Sequence, residues 1–195
     1  KGLQAFHRQE MLHQDLRPEN IMIDSMGTIK IIDFGSTFVS GVDETQTSVV
    51  PQAMPGTAQF LAPEYFLGEF GTKQSDLYSL ACITYHMLSG RSPYGVAVAR
   101  ALTRSDQLKL IYKSVLDAQR QIPVWVDLTL KKALQADPSK RYLELSEFIQ
   151  DLRKPNVKFV TQARLPLLER DPVKFWQGVS LVLGAVVIGL LTRIL

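Results

Sequence analysis

The chain has 195 residues, 46% of them apolar and 21% charged, and a formal net charge of +3. That length accommodates one domain with a sizeable core, or a domain plus an appendage, and the composition is ordinary for a globular protein, so disorder is not the default. With Arg91, Arg100, Arg104, Lys109, Lys113 and Arg120 dispersed, so small a charge offers no track for a nucleic-acid backbone, and the single cysteine, Cys82, excludes an internal disulfide.

Residues 1–11, KGLQAFHRQEM, read as the end of a helix that begins upstream of Lys1. A loop follows, and then two short strand-like runs, IMID and TIKII, with Gly27 in the turn between them. Residues 36–57 are rich in Ser, Thr, Gly and Pro and have no period. A loop that long inside a compact domain is usually functional or disordered. The spacing of Leu77, Leu80, Ala81, Thr84, Met87 and Leu88 predicts a helix starting at Ser75-Asp76, with Ser75 as N-cap and Gly90 just past its end. Ile83 and Tyr85 make it apolar on more than one side, so it is expected to lie centrally, with Cys82 as a small core residue. Further helical patterns cover 105–119, 125–135 and 142–153, the last closed by Pro155. There is no internal repeat and no Cys/His cluster with metal-ligand spacing.

The tail differs. Residues 175–195, FWQGVSLVLGAVVIGLLTRIL, are almost uncharged, and as a helix they would span roughly 30 Å, about one hydrocarbon thickness. Phe175 and Trp176 stand where an interfacial aromatic belt would, and Arg164, Arg170 and Lys174 precede them. The expectation is a single-pass transmembrane helix in contact with membrane lipid, and the basic flank places everything before it in the cytoplasm. A buried core helix is the alternative, and a cleaved lipid-anchor tail a third. The expected organisation is therefore a folded unit over 1–154, a juxtamembrane linker over 155–174 and a membrane helix over 175–195.

The residues that carry chemistry lie between 12 and 35. Phosphoryl transfer from a nucleotide needs a carboxylate to orient and deprotonate the accepting hydroxyl, metal ions to neutralise phosphate charge, and a nearby cation. In LHQDLRPENIMID, residues 12–24, Asp15, Arg17 and Asn20 fit those needs within one loop. Asp33 adds a carboxylate at a strand end, and Gly35 is expected to free the backbone to turn there. Taken alone, Asp15 reads better as a turn aspartate and Asn20 as a cap of the following strand.

Five stretches in order make the pattern specific. HQDLRPEN resembles the protein-kinase catalytic loop, and Asp33-Phe34-Gly35 matches the kinase metal-binding motif. GTAQFLAPE at 56–64 resembles the end of a kinase activation segment, SDLYSLA at 75–81 the central helix whose aspartate braces the catalytic loop, and Asp137-Pro138 with Arg141 the late DPxxR signature. The resemblance, over residues 1–153, is to the C-terminal lobe of a Hanks-type serine/threonine protein kinase. It implies an α+β, mainly helical fold with a short β-hairpin.

It also implies roles. Asp15 would be the catalytic base, Arg17 the cation beside the transferred phosphate where the family usually has lysine, and Asn20 and Asp33 the ligands of Mg2+ or Mn2+. Asp15, Arg17, Asn20, Asp33 and Gly35 would together face ATP. Thr57 would hydrogen-bond near Asp15, and Asp76 and a Glu64–Arg141 pair would be braces. His13 is read as a core-facing scaffold residue. Gln14 stands where the family commonly has an arginine that binds an activation-loop phosphate, so activity is expected not to need that modification through that contact, although Ser36, Thr37, Ser40, Thr45, Thr47 and Ser48 are available. The GTxxFxAPE pattern points to protein substrates carrying Ser or Thr rather than Tyr.

HQDLRPEN, PEYFLGE and the apolar tail together resemble bacterial membrane-anchored kinases, some with a metal-dependent phosphatase domain upstream. The family's ATP lobe, with its glycine-rich loop and lysine, would precede Lys1, so the chain is expected to be a kinase fragment. The alternatives are a pseudokinase-like, membrane-tethered binding module and an inactive fragment lacking the ATP lobe.

Overall fold

In a computed structural model the described residues are 1–39, 58–117, 120–157, 159 and 172–194. Thr57, Ser40, Thr45, Thr47, Ser48, Arg164 and Arg170 lie outside them. The chain forms two compact units, Lys1–Lys154 and Pro155–Leu195.

The first unit is mainly helical. Helix α1 (Gly2–Arg8) ends at a tight reversal in which Glu10 takes φ 54°, and β1 (Met11–Leu12) follows. A 3-10 turn over Pro18–Asn20 leads into β2 (Ile21–Ile23), which pairs antiparallel with β3 (Ile29–Ile31) in the register Ile21↔Ile31, Met22↔Lys30, Ile23↔Ile29. Gly27 is left-handed in the connecting turn at φ 79°, and Asp24 Oδ1 accepts from the Met26 and Thr28 amides to close it. Strand β4 (Phe38–Val39) pairs with β1, at the start of the stretch read as a periodless loop. Two residues are too few to show an alternating pattern, so nothing in the sequence marks this pairing.

Helix α2 (Lys73–Ser89) is the spine of the unit. Its cap is Thr72 rather than Ser75: Thr72 Oγ1 accepts from the Ser75 amide and Ser75 Oγ accepts from the Thr72 amide, a reciprocal capping box in which Ser75 is the third helical residue. Gly90 closes the helix at φ 68°. Leu77, Tyr78, Ala81, Cys82 and Tyr85 are buried in the main core, whereas Met87, expected on the apolar face, is 80% exposed.

Helices α3 (Ala97–Arg100) and α4 (Arg104–Leu108) are short, and the helix expected over 105–119 stops at 108. Beyond it the backbone is bound elsewhere. The Lys113 amide donates to the Pro93 carbonyl, and Asp127 Oδ1 accepts from both the Val115 amide and the Tyr112 hydroxyl. Helices α5 (Val124–Ala133) and α6 (Leu145–Arg153) pack on each other, and α5 also packs on α2. Leu130, Ala133, Leu145 and Phe148 complete the core.

The second unit contains α7 (Pro172–Ile194). Among the described residues no helix is long and apolar enough to cross a membrane, so the transmembrane span expected over 175–195 is not supported. In the described part of α7, Lys174, Gln177 and Ser180 interrupt the apolar run, and the side chains most apolar in sequence, from 186 on, lie largely outside the description.

Candidate active site

The loop that carries Asp15 hangs from the first turns of α2. Asp76, 1% exposed, accepts from the His13 amide at Oδ2 and from the Gln14 amide at Oδ1, each at 2.9 Å. Gln14 is left-handed at φ 64°, an uncommon and strained conformation for a residue with a side chain. Two charge-assisted hydrogen bonds to one buried carboxylate hold the backbone there, and the next residue is Asp15.

Asp15 is half-buried and fixed from its own loop. Asn20, buried, donates Nδ2 to the Asp15 carbonyl at 2.8 Å and to Asp15 Oδ2 at 3.1 Å. Arg17 Nε lies 3.4 Å from the same Oδ2. One carboxylate oxygen is thus oriented by a hydrogen bond from Asn20 and lies beside the Arg17 guanidinium in an ion pair without a hydrogen bond, and among the described residues Oδ1 accepts no hydrogen bond. Such a carboxylate can accept a proton from a hydroxyl brought to its free oxygen.

Asn20 also ties the loop to the second carboxylate. Its backbone carbonyl accepts from the Ile32 amide at 2.9 Å, so Asp33 follows directly on a residue pinned to the loop. The left-handed residue of this turn is Asp33, at φ 63°, and not Gly35. Gly35 contributes space instead: a Cβ there would stand 3.3 Å from Asp33 Oδ1, which accepts from the Gly35 amide at 3.2 Å. Phe34 stacks on Phe6 with centroids 5.4 Å apart and meets the His13 ring edge-on at 6.1 Å. His13 is buried, and its ring nitrogens have no hydrogen-bond partner among the described residues.

A family model described as protein kinase domain matches residues 1–152, more than three quarters of the chain. The chain belongs to the protein kinase domain family. Over 153 residues it is 36% identical to a probable serine/threonine-protein kinase PknB of Bifidobacterium longum, covering 77% of this chain and 22% of that protein. It is 34% identical over 160 residues to the serine/threonine-protein kinase PknB of Mycobacterium leprae, covering 78% of this chain and 24% of that one. It is 32% identical over 151 residues to the serine/threonine-protein kinase PrkC of Bacillus subtilis, covering 75% and 22% respectively. The chain therefore spans between a fifth and a quarter of the length of these relatives.

Protein kinases use ATP and magnesium, and the donor set here is compatible with that ion. Both Asn20 amide hydrogens are engaged by Asp15, which leaves Oδ1 of Asn20 for another partner, and Asp33 keeps Oδ2 without one among the described residues. Among the described residues no three His, Cys, Asp or Glu side chains converge. Two oxygen donors suit magnesium, which commonly takes one or two protein oxygens, waters and the phosphates of its nucleotide.

Glu64 and Arg141, expected to pair, are in contact. Arg141 forks onto Glu64, Nη1 to Oε1 and Nη2 to Oε2 at 2.7 Å each, with side chains 0% and 3% exposed. Its remaining donors reach the carbonyls of Gln135, Ala136 and Gln74, so no part of the buried guanidinium is left bare. Ser75 Oγ donates to Glu64 Oε1 at 2.7 Å, joining this pair to the capping box of α2.

Two features escaped sequence reasoning. His7 Nε2 lies 2.9 Å from Asp76 Oδ2, a contact across 69 residues without a local signature. Gly71 has no room for a side chain: a Cβ would stand 2.2 Å from the Tyr65 hydroxyl and 3.2 Å from Gln14 Nε2. The Gln14 side chain thus lies beside Gly71.

Proposed function

We propose that this chain is the catalytic and substrate-binding half of a protein kinase that transfers the γ-phosphoryl group of ATP to Ser or Thr hydroxyls of proteins. The observation that carries the proposal is the half-buried Asp15, oriented through one oxygen by Asn20 and paired in charge with Arg17 on a loop hung from Asp76. In this reading the Asp15 carboxylate accepts the hydroxyl proton as the substrate oxygen bonds to phosphorus and ADP leaves. Arg17 lends positive charge beside the transferred group. Asn20 and Asp33 hold magnesium, which would supply charge neutralisation to the phosphates.

The test is incubation of the full protein with γ-labelled ATP and mixed Ser-, Thr- and Tyr-containing peptides, followed by phosphoamino-acid analysis. Label in phosphoserine or phosphothreonine is expected. Folded protein that labels only tyrosine, or nothing, overturns the proposal.

The reading extends to location. A tether through α7 with the kinase unit on the cytoplasmic side is supported by the exposed Val173, Trp176, Leu181, Val182 and Leu183 and by Lys174 before them. Full-length protein is expected in the membrane fraction after a high-salt wash and to become soluble once residues 172–195 are removed. Equal solubility of both forms removes this part.

A further inference from the structure

We propose that the cleft between α1 and α6 binds a phosphate monoester, either a small soluble one or the headgroup of a phospholipid. The cleft has a volume of about 320 Å³ and is lined by Gln4, Ser146, Ile149, Gln150, Arg153 and Lys154. None of these residues belongs to the catalytic loop. Gln4 comes from the first turn of α1, and the other wall is α6 with its C-cap, Lys154. Helical spacing builds that wall. Leu145 and Phe148 turn into the core. Ser146 and Gln150 are four residues apart on another face, with Lys154 four further on, and Ile149 and Arg153 form the neighbouring ridge.

Every polar side chain in this lining can donate a hydrogen bond, and none is a carboxylate. The acids of α6 are elsewhere. Asp151 is buried and accepts from the Tyr142 hydroxyl at 2.8 Å, and Glu147 is outside the lining. Among the described residues neither Arg153 nor Lys154 pairs with a carboxylate. A cation in the last turn of a helix complements its carbonyls, and Arg153 alone can fill that role. It does not account for a second unpaired cation beside three neutral donors. An anion does. A carboxylate has two oxygens and one charge, which a single arginine fork satisfies. A phosphate monoester has three acceptor oxygens and a charge of about −1.5 to −2, matching two cations with further donors around them. The half-buried Ile149 and the amide oxygens of Gln4 and Gln150 suit an organic part with hydroxyls, in a space at the small end of ligand sites.

The cleft is tested in the full protein with two probes. Glycerol 3-phosphate is titrated by calorimetry, and sedimentation is followed on phosphatidylcholine vesicles with and without phosphatidic acid. Wild type is expected to bind at least one probe, the soluble one with a Kd of about 1 mM or tighter. Arg153→Gln/Lys154→Gln removes both charges at exposed positions and should weaken binding by at least about 10-fold. Gln150→Glu keeps the cations but sets a carboxylate in the wall, and should weaken binding in the same direction. Lys113→Gln/Lys131→Gln removes two exposed cations elsewhere and should stay within about 2-fold of wild type. All of these proteins carry α7, so a difference between them on vesicles belongs to the cleft. Binding of glycerol 3-phosphate that the cleft variants lose assigns a soluble ligand, and such binding confined to vesicles with phosphatidic acid assigns a lipid headgroup. Absence of binding to both probes overturns the proposal. So does binding that the cleft variants leave unchanged, or that Lys113→Gln/Lys131→Gln lowers as much, since another site or overall charge is then responsible.

Discussion

At the residue scale, the features that matter most are buried charges with every donor engaged. Arg141 and Glu64 are the clearest pair, and removing one partner leaves an uncompensated buried charge. Arg141→Met is therefore expected to lower the stability of the unit by about 3–5 kcal/mol, measured by urea denaturation. A loss below about 1 kcal/mol would mean that water reaches Glu64. Gln14 makes the opposite point. It carries no charge to anchor a phosphate, and its side chain lies beside Gly71. Replacing Ser36, Thr37, Ser40, Thr45, Thr47 and Ser48 together with alanine should leave phosphoryl transfer by the full protein within about 3-fold of wild type, since a contact that is never made cannot be lost. Abolition of activity would show that a modified residue in that segment is required after all.

At the element scale, the junction between the Pro63–Leu67 turn and α2 is closely fitted at Gly71. Gly71→Ala would drive a methyl group into the Tyr65 hydroxyl, and overpacking of this kind costs about 1–3 kcal/mol. Tyr65→Phe in the same chain removes the oxygen at the 2.2 Å approach, so the double variant should regain part of that loss. Strict additivity of the two changes in a thermal-melt cycle would contradict the contact. Elements were legible in the sequence where a local rule governs them. Gly27 announced the β2–β3 turn, Gly90 the end of α2, and Pro155 the end of the α6 pattern. Elements settled by distant partners were not. Ser75 looks like a cap by itself, and only the pairing with Thr72 and the bond to Glu64 assign it to the third helical position. The pattern over 105–119 is helical, yet Asp127 and the Pro93 carbonyl claim the donors that would continue it.

At the scale of the whole molecule, the core of the first unit contains several buried phenols and one buried thiol. Burial pushes the Cys82 thiol from its ordinary 9.0 up to about 12. Burial likewise raises Tyr78 and Tyr94, and it raises Tyr65 and Tyr112 with further help from the charges of Asp76 and Glu64 and of Asp127 respectively. These groups stay protonated in the folded chain at a pH where the unfolded chain has released its protons. Their contribution is complete below about pH 9 and is lost as pH rises through the folded values, by at most ~1.4 kcal/mol per group per pH unit. Stability measured by denaturant should fall steadily from pH 9 upward, and Cys82 should resist a thiol reagent at pH 8.5 until the chain is unfolded. Rapid labelling of folded protein would contradict that burial. The order of kinase motifs made the family legible from sequence, because each motif is a short run. The bond from His7 to Asp76 spans 69 residues and was not legible.

The most direct measurement is the rate of phosphate transfer from ATP by the full protein, wild type against Asp15→Asn, with nucleotide binding followed in parallel. The substitution keeps the size of the side chain and removes its capacity to take the hydroxyl proton. Transfer should fall by about 10²-fold or more while nucleotide affinity is retained. Equal rates for the two proteins would contradict the role of Asp15 and with it the catalytic reading of the site.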